Sequence, residues 1–248
     1  MSKKPYGMIC PITRVCEILE PRWTIAIIVA LWAGNTKFND IRREIGSISP
    51  GLLTKRLREL EGLGLVERIE DRATGKIDYL RTEKAIALEP ALELLAKWSQ
   101  QHVDGITALC TASASSLMRK MRKILDSDAL PDRRVVIQFH FAEDLEYDTY
   151  WVLANPGAPI EICTSIPGYD IDLFVETTAM SLVAYLLGRT TIAREKDLGE
   201  LFLSGDAVLS RTIEQWLPQG EYAQFANVKE LSEDTSQRRS ARAALANV

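Results

Sequence analysis

The sequence predicts an α+β protein with two domains, the first mainly helical and the second built on a sheet. Apolar residues recur at helical spacing through much of residues 11–63 and 82–125. From residue 134 the pattern changes to alternation with period two, in runs such as RVVIQFHF and PIEICTSI. Charge divides the chain in the same way. Residues 1–125 carry 20 Lys and Arg against 14 Asp and Glu, whereas residues 126–248 carry 10 against 20.

Length and composition set the domain boundaries that we expect. The chain has 248 residues and is 46% hydrophobic, enough for two modest cores. Residues 126–133 include a polar, turn-rich DSDALPD segment, which predicts a linker between residues 1–125 and 134–222, and residues 223–248 read as a flexible tail. No apolar run approaches the ~20 residues that span a bilayer, and no signal-peptide core is visible. We therefore expect a cytoplasmic protein without a membrane partner.

The most informative stretch is ISPGLLTKRLRELEGL, residues 48–63. Ser49 is a good N-cap, and Pro50 suits the first helical position. The inward face is apolar and comprises Leu53, Leu57 and Leu60. The outward face is small and basic, with Gly51, Thr54, Lys55 and Arg58. Slim residues with cations are what a helix in a DNA groove needs, although a merely solvated face is the alternative interpretation.

A second amphipathic helix precedes this one. Residues 37–45, KFNDIRREI, place Phe38, Ile41 and Ile45 on one side, and Gly46 supplies a tight turn. Two short helices joined in this way predict a helix-turn-helix. Its first helix would cross the DNA backbone, where Arg42 and Arg43 reach phosphate.

A β-hairpin should follow, because LVERI and IDYLRT are β-prone runs separated by the turn-rich EDRATGK. A hairpin directly after a helix-turn-helix is the winged variant of that motif. Arg72 and Lys76 near its tip would contact phosphate or a minor groove, and an ordinary solvated hairpin is the alternative.

Two further helices complete the first domain. Residues 21–34 are apolar nearly all round, which predicts a central core helix. Thr82 caps a long helix whose apolar residues are too many for one small domain to cover. We expect a homodimer interface there, since a two-fold protein matches two DNA half-sites.

These residues resemble the HxlR family of bacterial winged helix-turn-helix regulators, relatives of the MarR type. The similarity covers residues 8–103 and includes RWT at 22–24, LWAGNTKFNDI at 31–41, ISPGLLTKRLRELEGLGLVER at 48–68, YLRT at 79–82 and Trp98. The wing lacks the proline often present there, and Ala85 stands where glycine is usual. The resemblance implies a homodimeric transcriptional regulator that binds double-stranded DNA.

The four cysteines are scattered and form no C-x-x-C motif, so we expect reduced, mostly buried thiols and no metal site. In some relatives a cysteine near the N-terminus senses oxidants, and Cys10 occupies that place. The sequence shows no cation cluster that would lower its pKa, so a structural thiol is the alternative.

Residues 113–125 form an amphipathic helix, interpreted as a packed connector or, alternatively, as a membrane-surface helix. Residues 134–218 then alternate strands and helices and resemble the sterol-carrier-protein type of domain, through DLFVETT, LLGRTT and LFLSGDAVL. The resemblance implies an apolar small-molecule effector in a tunnel between sheet and helices. Candidate lining residues are Phe139, Trp151, Phe174, Leu182, Tyr185, Leu186 and Trp216, for which plain core packing is the alternative.

No enzyme site is recognisable. There is no Gly-rich phosphate loop, no G-x-S-x-G motif, and neither histidine lies in a nucleophile or metal arrangement. We therefore expect no catalytic residues and no cofactor. The leading hypothesis is a DNA-binding transcriptional regulator modulated by an apolar ligand. The alternative is an apolar small-molecule carrier that uses the winged domain for dimerisation.

Overall fold

The structure is a computed structural model and describes residues 6–109, 113–142 and 147–246. The chain divides into two compact units between Glu93 and Leu94. This position differs from the linker that the sequence suggests at 126–133. The physical reason is that residues 114–125 form a helix whose apolar stripe belongs to the core of the second unit.

The first unit begins with four helices. They are α1 (Pro11–Leu19), α2 (Thr24–Trp32), α3 (Phe38–Ile45) and α4 (Pro50–Gly62). Helix α2 is the most apolar, and Ile27 and Ile28 in it are almost fully buried. Ile41 of α3 and the three inward leucines of α4 join them in one core. The helix-turn-helix is therefore stabilised by packing of the apolar side chains that recur at helical spacing in the sequence.

The wing is a two-stranded antiparallel hairpin of β1 (Val66–Glu70) and β2 (Ile77–Arg81). Its register pairs Val66 with Arg81 and Glu70 with Ile77. Val66 is buried in the core of the first unit, whereas the other residues of β1 are exposed. The hairpin is thus anchored at its base and projects its tip.

Thr82 does not begin one long helix, which corrects that expectation. Its hydroxyl accepts from the backbone N–H of Ala85 and caps the short α5 (Glu83–Ile86), and α6 (Glu89–His102) starts separately. The break fits Pro90, which has no N–H to donate to the carbonyl of Ile86 four residues earlier and is favoured in the first turn of a new helix. The division between the two units falls inside α6.

The second unit is built on a five-stranded sheet. Its strands are β3 (Val135–Phe141), β4 (Thr149–Ala154), β5 (Glu161–Cys163), β6 (Leu173–Thr177) and β7 (Leu201–Gly205), in the order β5-β4-β3-β6-β7. Strands β3 and β6 are parallel, and the remaining neighbours are antiparallel. The sequence predicts strands in RVVIQFHF, TYWVLA, PIEICTSI, YDIDLFVET and LFLSGD, and all five are present.

Helices supply the rest of the second unit. They are α7 (Gly105–Leu109), α8 (Ala114–Ile124), α9 (Ala179–Leu186), α10 (Ile192–Asp197), α11 (Ala207–Arg211), α12 (Ile213–Trp216) and α13 (Thr235–Ala246), with 3-10 turns at Ser127–Ala129 and Glu221–Gln224. The stripe of α8, Leu117, Met118 and Met121, is buried in the core that includes the inner sheet face. That burial favours the connector interpretation over a membrane-surface helix. No helix of the described ranges is long and apolar enough to cross a bilayer.

The end of the chain differs from the expected flexible tail. Leu231 is buried in an apolar cluster with Leu109, Met180 and Ala184. Within α13, Arg238 is fully buried and pairs with Glu195 of α10 at 2.8 Å. A sequence of polar residues gives no sign of such docking, because the partner carboxylate lies 43 residues away.

Candidate nucleic-acid interface

Helix α4 is fixed as the sequence suggests. The Ser49 hydroxyl accepts from the backbone N–H of Leu52 at 3.3 Å and caps the helix, and Pro50 occupies its first position. Leu53, Leu57 and Leu60 are at most 1% exposed. Burial of these three side chains turns the opposite face outward.

The outward face of α4 carries the predicted contact residues. Gly51, Lys55 and Arg58 are exposed, and Ser49 is exposed at the helix start. Thr54 is half-buried, and its hydroxyl donates to the Pro50 carbonyl at 3.0 Å. Thr54 is therefore the least available of the predicted contacts, because its donor already serves the helix backbone.

The neighbouring Arg56 has a different role. Its Nε donates to the Arg22 carbonyl at 3.1 Å, and its guanidinium pairs with Glu59 at 2.5 Å. The cations of α4 thus divide into one that braces the first unit and two, Lys55 and Arg58, that project from it.

Helix α3 adds two exposed arginines. Arg43 pairs with Asp40 at 3.0 Å on its own helix, whereas Arg42 has no carboxylate within 4.0 Å in the described part of the chain. An exposed i,i+3 pair stabilises by only about 0.2–0.5 kcal/mol, so Arg43 can exchange Asp40 for a phosphate at little cost.

At the wing tip, Asp71 organises the turn. Its carboxylate accepts from the Thr74 hydroxyl at 2.6 Å and from the Ala73 N–H at 2.9 Å, which lowers the pKa of Asp71. Gly75 has φ of +65°, a conformation that a side chain would disfavour. The two predicted wing cations, Arg72 and Lys76, are exposed on this ordered turn.

A contact that sequence analysis missed fastens the wing. Asp78 of β2 accepts from Lys37 and, at 2.7 Å, from the Thr36 hydroxyl, and the Tyr79 N–H donates to the Thr36 carbonyl at 2.8 Å. The hydrogen bond from Lys37 is the largest cause of the lowered pKa of Asp78. The residues lie about forty positions apart, so no local pattern could have revealed the pair.

The interface carries uncompensated positive charge. Lys55, Arg58, Arg42, Arg72 and Lys76 are all exposed, and none has a carboxylate within 4.0 Å among the residues that the structure describes. Exposed cations without partners attract a polyanion and release its counterions on binding.

A family model described as "HxlR-like helix-turn-helix" matches residues 18–107. The HTH-type transcriptional regulator YvaP of Bacillus subtilis (strain 168) is 33% identical over 97 residues, which are 38% of this chain and 90% of that protein. The chain belongs to the HxlR-like helix-turn-helix family of transcriptional regulators.

Other transcriptional regulators give similar matches. YtfH of Escherichia coli (strain K12), also an HTH-type transcriptional regulator, is 30% identical over 101 residues, 40% of this chain and 80% of its own length. The solved structure of the reduced form of the transcriptional regulator YodB from B. subtilis is 34% identical, covers 39% of this chain and 96% of its own, and has a TM-score of 0.36. These relatives are transcriptional regulators, a class of proteins that are not normally enzymes.

Outside the helix-turn-helix of this HxlR-like chain, Cys10 immediately precedes α1 and is partly exposed. The backbone N–H of Thr13, followed by that of Ile12, lowers the pKa of the Cys10 thiol. A helix N-terminus favours a thiolate, and this cause is invisible in the sequence. Cys10, Cys16 and Cys163 are free thiols, as expected. None of the three is fully buried, which differs from the expected burial, and Cys110 lies outside the described residues.

The seven predicted ligand-lining residues do not lie together. Five of them, Phe139, Leu182, Tyr185, Leu186 and Trp216, belong to the core that includes the inner face of the sheet and its helices. The other two require a correction. The register places Trp151 and Phe174 on either side of Gln138, on the opposite sheet face from Phe139, and Phe174 is 42% exposed. Side chains alternate along a strand, so these two cannot line the same cavity as Phe139.

Two surface clefts of the second unit lie away from those residues. One, of about 470 Å³, lies between Arg122 of α8, Leu125 directly after that helix, and residues 158–161. The other, of about 270 Å³, is lined by residues 127–133 and 154–157. Both have mixed polar and apolar walls, so neither is an apolar tunnel.

Proposed function

We propose that this protein is a homodimeric transcriptional regulator that binds operator DNA through α4, α3 and the wing. The observation that carries the proposal is a set of exposed cations on α4 and at the wing tip with no carboxylate within 4.0 Å among the described residues. On α4 these cations lie opposite a leucine face that is at most 1% exposed. Family membership supports the same function, because helix-turn-helix regulators bind double-stranded DNA.

The roles of the contact residues follow from their positions. Ser49, Gly51, Lys55 and Arg58 would enter the major groove, where small residues permit close approach and Arg58 can bind guanine with two hydrogen bonds. Arg42 and Arg43 would contact phosphates along the backbone. Arg72 and Lys76 would contact the adjacent phosphates or the minor groove. Thr54 would contribute through its methyl group, because its hydroxyl already donates to Pro50.

The test measures binding of the full chain to the DNA upstream of its own gene by fluorescence anisotropy, at several salt concentrations. The double variant Lys55→Ala and Arg58→Ala should bind far more weakly. Its salt slope should be less steep by up to about 4, since a dimer loses four cations at ~0.9 each. The matched control is Lys196→Ala with Arg211→Ala, which removes equal charge from exposed positions of the second unit. Unchanged affinity and slope in the α4 variant would refute the assignment.

A homodimer is part of the proposal, and exposed apolar residues support it. Ile12 and Val15 on α1 are 73% and 44% exposed. On α6, Leu94, Leu95 and Trp98 are 67%, 56% and 57% exposed. Such faces usually mark protein–protein contact. Sedimentation equilibrium should show a dimer that Leu95→Lys weakens, while Ile166→Lys, at a loop position that is 78% exposed, leaves it intact.

We also propose that an apolar effector enters the second unit between its sheet and helices, as in sterol-carrier-like domains. What supports this is that five of the seven candidate residues share one apolar layer there. Effector binding would alter operator affinity only if the ligand favours one of two DNA-binding states. Long-chain fatty acids and sterols should raise the melting temperature and shift operator affinity. Ligand binding without any operator binding at low salt would favour the carrier function instead.

A second candidate function is thiol-based sensing at Cys10. The lowered pKa of that thiol favours it, because the thiolate is the form that reacts with peroxide. Peroxide should release wild-type protein from the operator, and Cys10→Ser should remain bound. Cys16→Ser on the same helix is the control, and it should release as the wild type does. Identical release by Cys10→Ser would eliminate this function.

A further inference from the structure

Arg189 of the second unit is a buried cation held only by neutral oxygens. It is 1% exposed, and it follows α9 in the chain. Its Nε donates to Gln100 Oε1 at 2.8 Å. Its Nη1 donates to the carbonyls of Val103 and Lys229, at 3.0 and 3.1 Å, and its Nη2 to that of Ser99 at 3.2 Å.

These acceptors identify what Arg189 binds. Ser99 and Gln100 lie in the last turn of α6, and Val103 directly follows the helix, at the end where backbone carbonyls carry partial negative charge. The Ser99 carbonyl also accepts from the Val103 N–H at 3.0 Å, so it serves both that amide and Arg189. No carboxylate lies within 4.0 Å of Arg189 in the described ranges. Burial lowers the pKa of Arg189, and the charge of Asp104 opposes that effect. The helix end therefore replaces the counterion that a buried guanidinium ordinarily needs.

Further bonds hold the same side of α6. Gln100 Nε2 donates to the Leu187 carbonyl at 2.8 Å, and the Lys229 N–H donates to the Gln100 carbonyl at 2.8 Å. Gln101 reaches the Ala226 carbonyl at 2.7 Å. The last turn of α6 is thus fixed by residues that follow it in the chain by more than eighty positions.

The other side of α6 is open. At helical spacing, Leu94, Leu95, Trp98 and His102 share one face, roughly opposite the buried Gln100. Trp98 and His102 lie side by side, with ring centroids 5.4 Å apart. Trp98 directly precedes Ser99, whose carbonyl Arg189 binds. Movement of the last turn of α6 would therefore move Trp98.

We propose that Arg189 is a positioning residue for the dimer surface of α6. By binding Ser99 and Gln100 in the last turn of the helix and Val103 just after it, Arg189 holds that turn in the orientation that presents Trp98 and Leu95 to a second copy of the chain. The inference rests on the proposed homodimer. It gives the second unit a function of its own, since that unit sets the geometry of the surface through which the protein assembles.

The test is a double-mutant cycle on the dimer dissociation constant of the full chain, measured by sedimentation equilibrium. The single variants are Arg189→Gln and Trp98→Ala. Trp98→Ala should weaken the dimer by about tenfold or more, as loss of an aromatic interface anchor does. Arg189→Gln should weaken it by a similar factor, because the last turn of α6 loses its orientation. Their effects should be strongly non-additive, because both act through the same turn. The control is Arg194→Gln, which loses ion pairs to Glu230 and Glu233 and should leave the constant unchanged.

The outcomes separate the two proposals. A monomeric wild type would overturn the homodimer itself. A dimeric wild type with additive effects, or with normal association of folded Arg189→Gln, would overturn the positioning role while leaving the homodimer standing. Circular dichroism establishes that each variant is folded. If Arg189→Gln does not fold, Gln100→Ala replaces it, because that variant removes one of the four hydrogen bonds of Arg189, the bond from Nε. A double-mutant cycle of Gln100→Ala with Trp98→Ala then decides the question.

Discussion

Replacing Arg238 by methionine tests how the end of the chain is held. Arg238 and Glu195 are 1% and 0% exposed at their side chains and pair at 2.8 Å. Glu195 also accepts from the Thr190 hydroxyl at 2.6 Å. In Arg238→Met the carboxylate stays buried with its cation gone, which costs about 3–5 kcal/mol when one member of a buried pair is removed.

The surface pairs of the same region give the comparison. Arg194 pairs with Glu230 and Glu233, whose side chains are 69% and 67% exposed. Exposed pairs contribute about 0–1 kcal/mol each. Arg194→Gln should therefore lower the stability of the second unit far less than Arg238→Met, although each removes an arginine that links α10 to the end of the chain.

Native-state hydrogen exchange of β3 and β4 is the assay, because it reports the opening free energy of the second unit separately from the first. Arg238→Met should lower that free energy several-fold more than Arg194→Gln. Adding Glu195→Leu should restore much of it, since an apolar replacement of both residues leaves no buried charge unpaired. A cost below about 1 kcal/mol for Arg238→Met would refute the reasoning and return residues 223–248 to a flexible tail.

Three further predictions concern single positions. Leu57→Ala should destabilise the first unit by about 2–5 kcal/mol in urea unfolding, because Leu57 is 1% exposed in its core, whereas Leu63→Ala, at 39% exposure, should cost much less. Gly205→Ala should impair folding of the second unit, because Gly205 has φ of +127° and a Cβ there would collide with the Asp172 carbonyl. Circular dichroism measures the effect. Gly157→Ala should impair folding less, because a Cβ at Gly157 meets no atom within 4 Å. The pKa of Asp78 lies below its ordinary value of 3.8, so its bonds to Lys37 and Thr36 stabilise the wing above that pH and are lost as pH falls through the lower, folded-state value. Wing amides should accordingly lose exchange protection on acidification, a loss that should be much smaller in Asp78→Asn.

Much of the fold follows from local pattern. Leucines at spacings of four and three, Ser49 before Pro50, and glycines at turns predict α4 and its partner helix, since these signals act within one or two helical turns. Period-two runs predict β3 to β7, because alternation reports which sheet face is buried. The ends of the helices depend on more than these local signals. Thr82 was expected to start one long helix, and Pro90 divided it.

The ligand-lining prediction shows where local pattern stops. Trp151 and Phe174 are apolar and lie in strands, so composition groups them with Phe139. Their sheet face depends on the register of β3 with β4 and β6, which pairs residues up to 36 positions apart. A shift of one residue would have reversed the assignment.

The sequence by itself determined the helix-turn-helix, its outward cations and the family, because each depends on residues close together in the chain. Only the tertiary structure decided which charges are paired and which are free. Asp78 meets Lys37, Glu195 meets Arg238, and Arg189 meets the end of α6, across 40 to 90 positions. Burial makes the Glu195–Arg238 pair strong, and burial is a property of the assembled chain, since only folding removes the water that would otherwise screen each charge.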